Sequence, residues 1–374
     1  MVVAEQVSVG LRWLAEGRRI VCALLVDAEG SSPFEPGAFM LIDGDGAIEG
    51  SITGGCVEAD VVTNALEIVG GDEAPRLLSY GVSDALAQTA GLMCGGSVDV
   101  LVHELRGTAR EVCADVFEAV AREDAAAVAT VVDGALAGAK LAVVGGRVLG
   151  GFGGPELFDH TVARDLVALS ERRTSALRHY GDSGEALGRE RSVHLHAFGV
   201  PSTLVLVGAI DYSFAVAALA RQVGYRVVIV DAREAFARSD RFSRVAEVEV
   251  GWPDAAIDDR DLGARDAVIV FSHDPKFDEP ALTAALRSDA GYIGALGSRR
   301  TASERNQRLA QAGLDAGALR RVHSPCGLDI GAATPGEVAI SIMAELIAAR
   351  SGRVGQPLVS GDGSIRPRED EFVA

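Results

Sequence analysis

Two cysteines flanked by paired glycines carry the most suggestive chemistry in this 374-residue chain: Gly54-Gly55-Cys56, ahead of a helical pattern, and Cys94-Gly95-Gly96, ahead of a strand pattern. A helix N-terminus favours the anionic form of a nearby sulfur, and glycines leave that sulfur reachable, which together describe a reactive or ligating thiol. Glu58, an anion two residues beyond Cys56, works partly against this. The plainer use is equally open, because small cysteines pack well and glycines serve tight turns. Cys22, in an apolar strand pattern, and Cys113, in a helical one, read as packing residues. The loop "GSSPFEPGAFML" (30–41) adds Ser31 and Ser32, suited to an anion or simply to a turn.

A second set lies in the last 170 or so residues. At the first strand-to-helix turn there, Gly208-Ala209-Ile210-Asp211-Tyr212-Ser213 keeps only the first glycine of the dinucleotide pattern, and Ile210 and Asp211 disfavour a pyrophosphate. Asp231, with Arg233 two residues on, sits where a ribose-binding acid belongs. Ser272-His273-Asp274 and Gly297-Ser298-Arg299-Arg300 follow two later strands. Open α/β sheets bind ligands outside the carboxyl ends of their strands, and free N–H groups beside arginines suit a phosphate. Arg299 and Arg300 serve equally as a solvated first turn.

The elements that would position these groups fall into two styles. Before residue 198 the pattern is mixed α/β. It has a helix near 4–17, strands near 20–27, 38–42 and 47–52 with "DGDG" as a hairpin turn, and a helix at 58–69. Strands near 76–80 and 97–104, a helix at 109–121, strands at 126–132 and 139–149, and a helix at 156–174 follow. The polar stretch 181–192 leads to a boundary near 199. Beyond it, apolar strands at 204–209, 226–232, 267–273 and 292–297 alternate with helices, the signature of a Rossmann-like, doubly wound parallel sheet. Thr334, Pro335 and Glu337 form a helix start with a capping box, followed by an apolar face of Val338, Ile342, Met343, Leu346 and Ile347. The expected organisation is 1–198, 199–352 and a flexible tail at 353–374.

Composition narrows the function. A net charge of −18 argues against nucleic acid, whose affinity rests on Lys and Arg. No run of about 18 apolar residues and no leader pattern is present, so a cytoplasmic location is expected. Five scattered cysteines suggest neither a disulfide framework nor a structural zinc site.

Several long motifs, taken in order, go further: "EGSSPFEPGAFMLI", "GSITGGCVEADV", "GLMCGGSVDVLVHEL", "VVIVDAREAFA", "YIGALGSRRT" and "GLDIGAATPGEVAISIMAELIA". Over roughly residues 5–350 the chain resembles the xanthine dehydrogenase accessory proteins of the XdhC/CoxI type. That resemblance implies an XdhC/CoxI-type N-terminal domain, a Rossmann-like C-terminal domain and a homodimer. It implies a non-enzymatic maturation factor that binds molybdenum cofactor (molybdopterin) as cargo. Such a factor accompanies sulfuration by a cysteine desulfurase and assists insertion into the apoenzyme of a molybdenum hydroxylase, of xanthine dehydrogenase or carbon monoxide dehydrogenase type.

The cofactor-binding residues carried over by motif are Gly54, Gly55, Cys56, Glu58, Cys94, Gly95, Gly96, Asp231, Arg233, Gly297, Ser298 and Arg299. No catalytic residue and no metal ligand is assigned; Cys56 is expected beside the molybdenum. The chain departs from the family's usual G-A-G-H at Gly208-Ala209-Ile210-Asp211, which tells against NAD(P) at that turn, and it has Cys326 where an aliphatic residue is usual. The rival readings are an NAD(P)-dependent oxidoreductase using the Rossmann pattern and Asp231, and an assembly scaffold with inert cysteines.

Overall fold

In the first half of the chain, residues of the inner strands alternate in which side they bury, so each of these strands feeds two cores. Along β1 (Ile20–Glu29), Ile20, Cys22, Leu24 and Val26 enter one apolar cluster while Val21, Ala23 and Leu25 enter another. A strand buried on both faces loses the polar alternation of a half-exposed one. The structure is a computed structural model and describes residues 2–30, 34–71, 74–81, 96–172 and 174–361. Ser31, Ser32, Cys94, Gly95 and most of the expected tail lie outside them.

Two compact units are present, Val2–Val200 and Pro201 onward. The first opens with α1 (Val2–Ala15), β1, β2 (Phe39–Asp43), β3 (Ile48–Gly50), α2 (Glu58–Gly70), β4 (Arg76–Tyr80) and β5 (Ser97–Glu104). It continues with α3 (Gly107–Ala121), β6 (Ala126–Val131), β7 (Lys140–Val144), β8 (Arg147–Gly150), α4 (Glu156–Arg172), β9 (Ser175–Tyr180) and β10 (Arg191–Phe198). The strands make two antiparallel five-stranded sheets, ordered β3-β2-β1-β5-β4 and β8-β7-β6-β10-β9. Both have the same topology: a helix, three meandering strands, a second helix and two closing strands. The unit is an internal duplication. α2 packs on one face of the first sheet and α4 on one face of the second, while α1 and α3 enter the core the two sheets share. Phe39 lies 6.0 Å from Phe117 and 6.3 Å from Phe198, ring centre to ring centre, so α3 and both sheets meet there.

Three readings of this half change. The expected strand at 139–149 is a hairpin, because Gly145 and Gly146 both take positive φ (55° and 77°), the two-residue turn that matches strand twist. β9 and β10 were not foreseen; the polar stretch 181–192 is mostly the connection between them. The expected strand at 47–52 shortens to β3, and its last residues join the loop that leads to α2.

The second unit comprises β11 (Ser202–Val207), α5 (Asp211–Gln222), β12 (Tyr225–Val230), β13 (Glu247–Glu249), β14 (Ala267–Val270), α6 (Pro275–Arg287), β15 (Tyr292–Ala295), α7 (Arg299–Gln311), β16 (Val322–His323) and α8 (Pro335–Arg350). One-turn helices fill the longer connections. The sheet is wholly parallel, in the order β13-β12-β11-β14-β15-β16. α5 and α8 cover the face that carries Leu204, Leu206 and Ile269, and α6 covers the face of Val205, Val207 and Val268. The chain reverses direction across the sheet between β11 and β14, the place where such folds form their ligand crevice.

α8 starts as its sequence dictates. Thr334 Oγ1 accepts the Glu337 N–H at 3.3 Å, and Glu337 Oε2 accepts the Thr334 N–H at 2.8 Å. Ile342, Met343 and Leu346 are buried, whereas Ile347, expected on the same face, is 38% exposed.

Candidate functional site

The loop from β3 to α2 is closed by its own acid. Glu58, at the first position of α2, accepts hydrogen bonds from the hydroxyls of Ser51 and Thr53 (both 2.7 Å) and from the N–H groups of Ile52, Thr53, Gly54, Gly55 and Val57 (2.8–3.2 Å). Burial alone would raise the Glu58 pKa, but the Thr53 and Ser51 bonds outweigh it and hold the carboxyl at about 2. The anion-binding concavity at this helix start is therefore filled from within. Gly54 and Gly55 take φ of 79° and 110°, which bends the backbone around the carboxylate and restricts both positions to glycine. Among the described residues, nothing lies within 4 Å of where a Gly55 side chain would begin. Cys56 is half-buried, packs partly on the α2-side core and carries a free thiol. The result is a stapled loop that carries a half-buried cysteine next to Gly55.

The duplication shows which features of this loop recur and which do not. In the second copy, "GGFGGPE" leads from β8 to α4, with Gly150 and Gly153 at φ of 75° and 73°. Phe152 is buried there as Ile52 is in the first copy. The Phe152 N–H donates to Asp159 at 3.2 Å, as the Ile52 N–H donates to Glu58. Glycines and a returning acid are thus common to both copies, and Pro155 of the second copy falls near where the first has Cys56. The thiol is what the first copy adds.

At the first turn of the parallel sheet, successive N–H groups are spent internally. Gly208 donates to the Val230 carbonyl at 2.8 Å, Ala209 to Asp231 Oδ2 at 2.8 Å and Ile210 to Ser213 Oγ at 3.0 Å. These are donors that a pyrophosphate-binding turn would offer to its ligand. Asp231, 4% exposed, also receives the Arg233 N–H and Nε at Oδ1 (both 2.9 Å) and Arg233 Nη2 at Oδ2 (2.7 Å). A carboxylate has about four lone-pair sites, and these four bonds use them. Burial would raise Asp231, but the Arg233 guanidinium and the two N–H groups hold it below the usual carboxylate range. Arg233 stacks over Phe236 at 4.1 Å, and Asp211 pairs with Arg241.

Gly297, Ser298 and Arg299 stand at the end of β15. Two strands separate β15 from β12, so they lie roughly 14 Å of sheet width from Asp231 and Arg233 at about 4.8 Å per strand spacing. Ser298 caps α7, accepting the Thr301 N–H at 3.1 Å, and Arg300 faces Glu304 at 3.6 Å. Arg299 is exposed and edges an open cleft of about 480 Å³ shared with Ser303, Asn306, Gln307 and Ser324. Asn306, which also lines this cleft, has its Oδ1 buried with no hydrogen-bond partner among the described residues. His273 is exposed, while Ser272 and Asp274 shape the start of α6. Gly96, at the threshold of β5, is the described residue of the second cysteine motif. Among the described residues, no group of three or more His, Cys, Asp or Glu is arranged to hold a metal ion, and no helix is long and apolar enough to cross a membrane.

Two family models match the sequence: one described as the XdhC Rossmann domain over residues 204–346, and one described as the XdhC and CoxI family over residues 13–81. The chain belongs to the XdhC and CoxI family. Among curated proteins, it is 25% identical to a Bacillus subtilis (strain 168) protein described as a probable xanthine dehydrogenase subunit, over 90% of this chain and 95% of that protein. It is 27% identical to the "molybdenum cofactor insertion chaperone PaoD" of Escherichia coli (strain K12), over 90% of this chain and 85% of that one. A solved structure from Bacillus halodurans, described as a xanthine dehydrogenase, shares the fold with a TM-score of 0.72 at 23% identity, covering 96% of this chain and 98% of that one.

The XdhC Rossmann unit also holds groups the sequence reading passed over. Arg305, 0% exposed, reaches Asp278 at 3.2 Å, Ser324 Oγ at 3.0 Å and the Leu296 carbonyl at 3.1 Å, tying α7 to α6 and to the end of β15. The signal was present: Arg305 falls on the stripe of Ala302 and Leu309, a charge where a helix buries apolar residues. Glu345 gathers the Tyr292 hydroxyl (2.6 Å), His323 Nδ1 (3.1 Å) and the Gly327 N–H (2.7 Å) beside buried Cys326.

Proposed function

We propose that this XdhC and CoxI family member is a maturation factor without turnover of its own. It carries molybdenum cofactor and assists its insertion into a molybdenum hydroxylase of xanthine dehydrogenase or carbon monoxide dehydrogenase type. The observation that carries this reading is Cys56 on the Glu58-stapled loop, a half-buried free thiol directly after two glycines of positive φ. Thiolates suit soft metal centres, and a rigid loop places one without an ordering cost. The names of the B. subtilis and E. coli relatives support the same role.

In this reading Gly54 and Gly55 let the cofactor approach the backbone, Cys56 faces the dithiolene-metal group and Glu58 holds the loop's shape. Cys94, Gly95 and Gly96 belong to the same set of cofactor-binding residues, and in the Rossmann unit Arg299 with the turn at Gly297 and Ser298 offers a phosphate-binding group of its own. Asp231 and Arg233 keep the neighbouring turn closed. A cysteine desulfurase supplies the cofactor's sulfur, and the protein works in the cytoplasm as a homodimer.

The test is reconstitution. A cofactor-free hydroxylase incubated with molybdenum cofactor should gain activity faster with the wild-type protein than without it, and Cys56→Ala should lose most of that gain. Equal gain with and without the protein removes the proposal. The strand order is the one fact favouring a nicotinamide-dependent oxidoreductase, and the internal use of the Gly208–Ile210 N–H groups and of Asp231 opposes it. Titration of nicotinamide fluorescence decides: saturation at micromolar cofactor restores that reading.

A further inference from the structure

The first unit encloses a polar cluster between its two sheets that the proposed function leaves unused. Lys140 on β7, Thr130 on β6 and His194 on β10 sit directly opposite one another, a row across the inner face of the second sheet, with His196 two residues along. Cys22 of β1 and Cys113 of α3 line the other side of the same cavity, whose volume is about 40 Å³. Such a volume accommodates two or three water-sized groups.

Lys140 is 4% exposed and His194 1%. Lys140 Nζ donates to Thr130 Oγ1 at 2.7 Å, which leaves the threonine O–H to donate onward. His194 Nε2 is buried with no partner, whereas His196 Nδ1 is taken by Ser175 Oγ at 2.7 Å. Among the described residues, no carboxylate lines the cavity. Burial lowers His194 and His196 to about 3 and about 4, so both rings are neutral at neutral pH, and burial pushes the Cys22 thiol up to about 12 and raises Cys113 as well. None of these groups offers Lys140 a counter-charge. Water could satisfy the hydrogen bonds of an amine, but a buried amine keeps an ammonium charge only with a negative charge close by.

We propose that this cavity is a binding site for a small monovalent inorganic anion of halide or nitrate size, held by the Lys140 ammonium, the Thr130 hydroxyl and the His194 Nε2–H. A divalent oxyanion would leave uncompensated charge against a single cation and is too large for the space. A metal cation is disfavoured by the ammonium itself. Because the ligands come from three strands of the folded sheet, the anion binds the native chain alone and stabilises it by mass action.

The test uses the full chain at constant ionic strength, with sodium chloride replacing sodium gluconate, whose anion cannot enter. The unfolding midpoint of the wild type should climb with the logarithm of chloride concentration, and crystals soaked in bromide should give an anomalous peak within hydrogen-bonding reach of Lys140 Nζ. Lys140→Met should abolish both responses. Thr130→Val, nearly the same shape, should weaken the anion's affinity at least tenfold and keeps the test available if the lysine variant does not fold. Identical midpoints in chloride and gluconate, water alone in the cavity of the bromide-soaked crystal, or an undiminished response in Thr130→Val overturns the proposal.

Discussion

Glu58→Gln puts the stapled loop to the test. The wild-type carboxyl sits at about 2 against an ordinary 4.5, so the folded state favours its ionised form. At about 1.4 kcal/mol per pH unit this difference is worth about 3 kcal/mol, and solvent screening at a half-exposed loop reduces it to about 2 kcal/mol. Because the folded value is the lowered one, the stabilisation is complete above pH 4.5 and is lost as pH falls from there towards 2. A glutamine amide adds a further conflict, because whichever way it is turned its NH2 group faces N–H and O–H donors that now find an oxygen. At neutral pH the first unit of the variant should therefore unfold about 4–8 °C lower, at roughly 2–4 °C per kcal/mol for a unit of this size. By calorimetry on the full chain, the gap should shrink to less than half at pH 3. Asp159→Asn in the second copy, where the carboxylate accepts the Phe152 N–H, should cost less. A Glu58→Gln variant as stable as wild type at pH 7, or a gap unchanged at pH 3, would refute the staple.

Other consequences follow from the same structure. Iodoacetamide at neutral pH should modify Cys56 well before buried Cys22, Cys113 and Cys326, whose thiols burial pushes up; peptide mass spectrometry reads the order, and early labelling of Cys22 contradicts it. Arg305→Met should destabilise the Rossmann unit by about 3–5 kcal/mol by stranding the buried Asp278 charge, as denaturant unfolding would show; a loss under about 1 kcal/mol means Asp278 takes up a proton at no cost. Thr334→Ala should cost about 1 kcal/mol by removing the acceptor that caps α8, with a smaller effect if water replaces it fully.

Much of the architecture was legible because its signals are local. Strand periodicity, the Asp-Gly turn between β2 and β3, and the Thr334–Glu337 box each depend on residues a few positions apart. The duplication was not legible. Its copies share a strand order but few residues, and only the glycine loops at 50–58 and 150–159 retain a common look.

The candidate site could be named from residue types, whereas its hydrogen bonds could not. Glu58 reads from sequence as a charge opposing a thiolate, while the structure turns its oxygens back to close the loop. Asp231 stands where a ribose acid belongs, yet Arg233 and Ala209 fill it. Lys140 and Arg305 interrupt apolar patterns, and only the packing of distant strands and helices reveals what each of them faces.

The central claim, that the chain holds molybdenum cofactor through the Cys56 loop, is tested most directly by co-elution. Purified protein mixed with molybdenum cofactor and passed through a gel-filtration column should carry molybdenum and pterin in its peak in near-stoichiometric amount, and Cys56→Ala should carry far less while eluting at the same volume. A wild-type peak free of molybdenum, or an alanine variant that retains as much as wild type, would contradict the account.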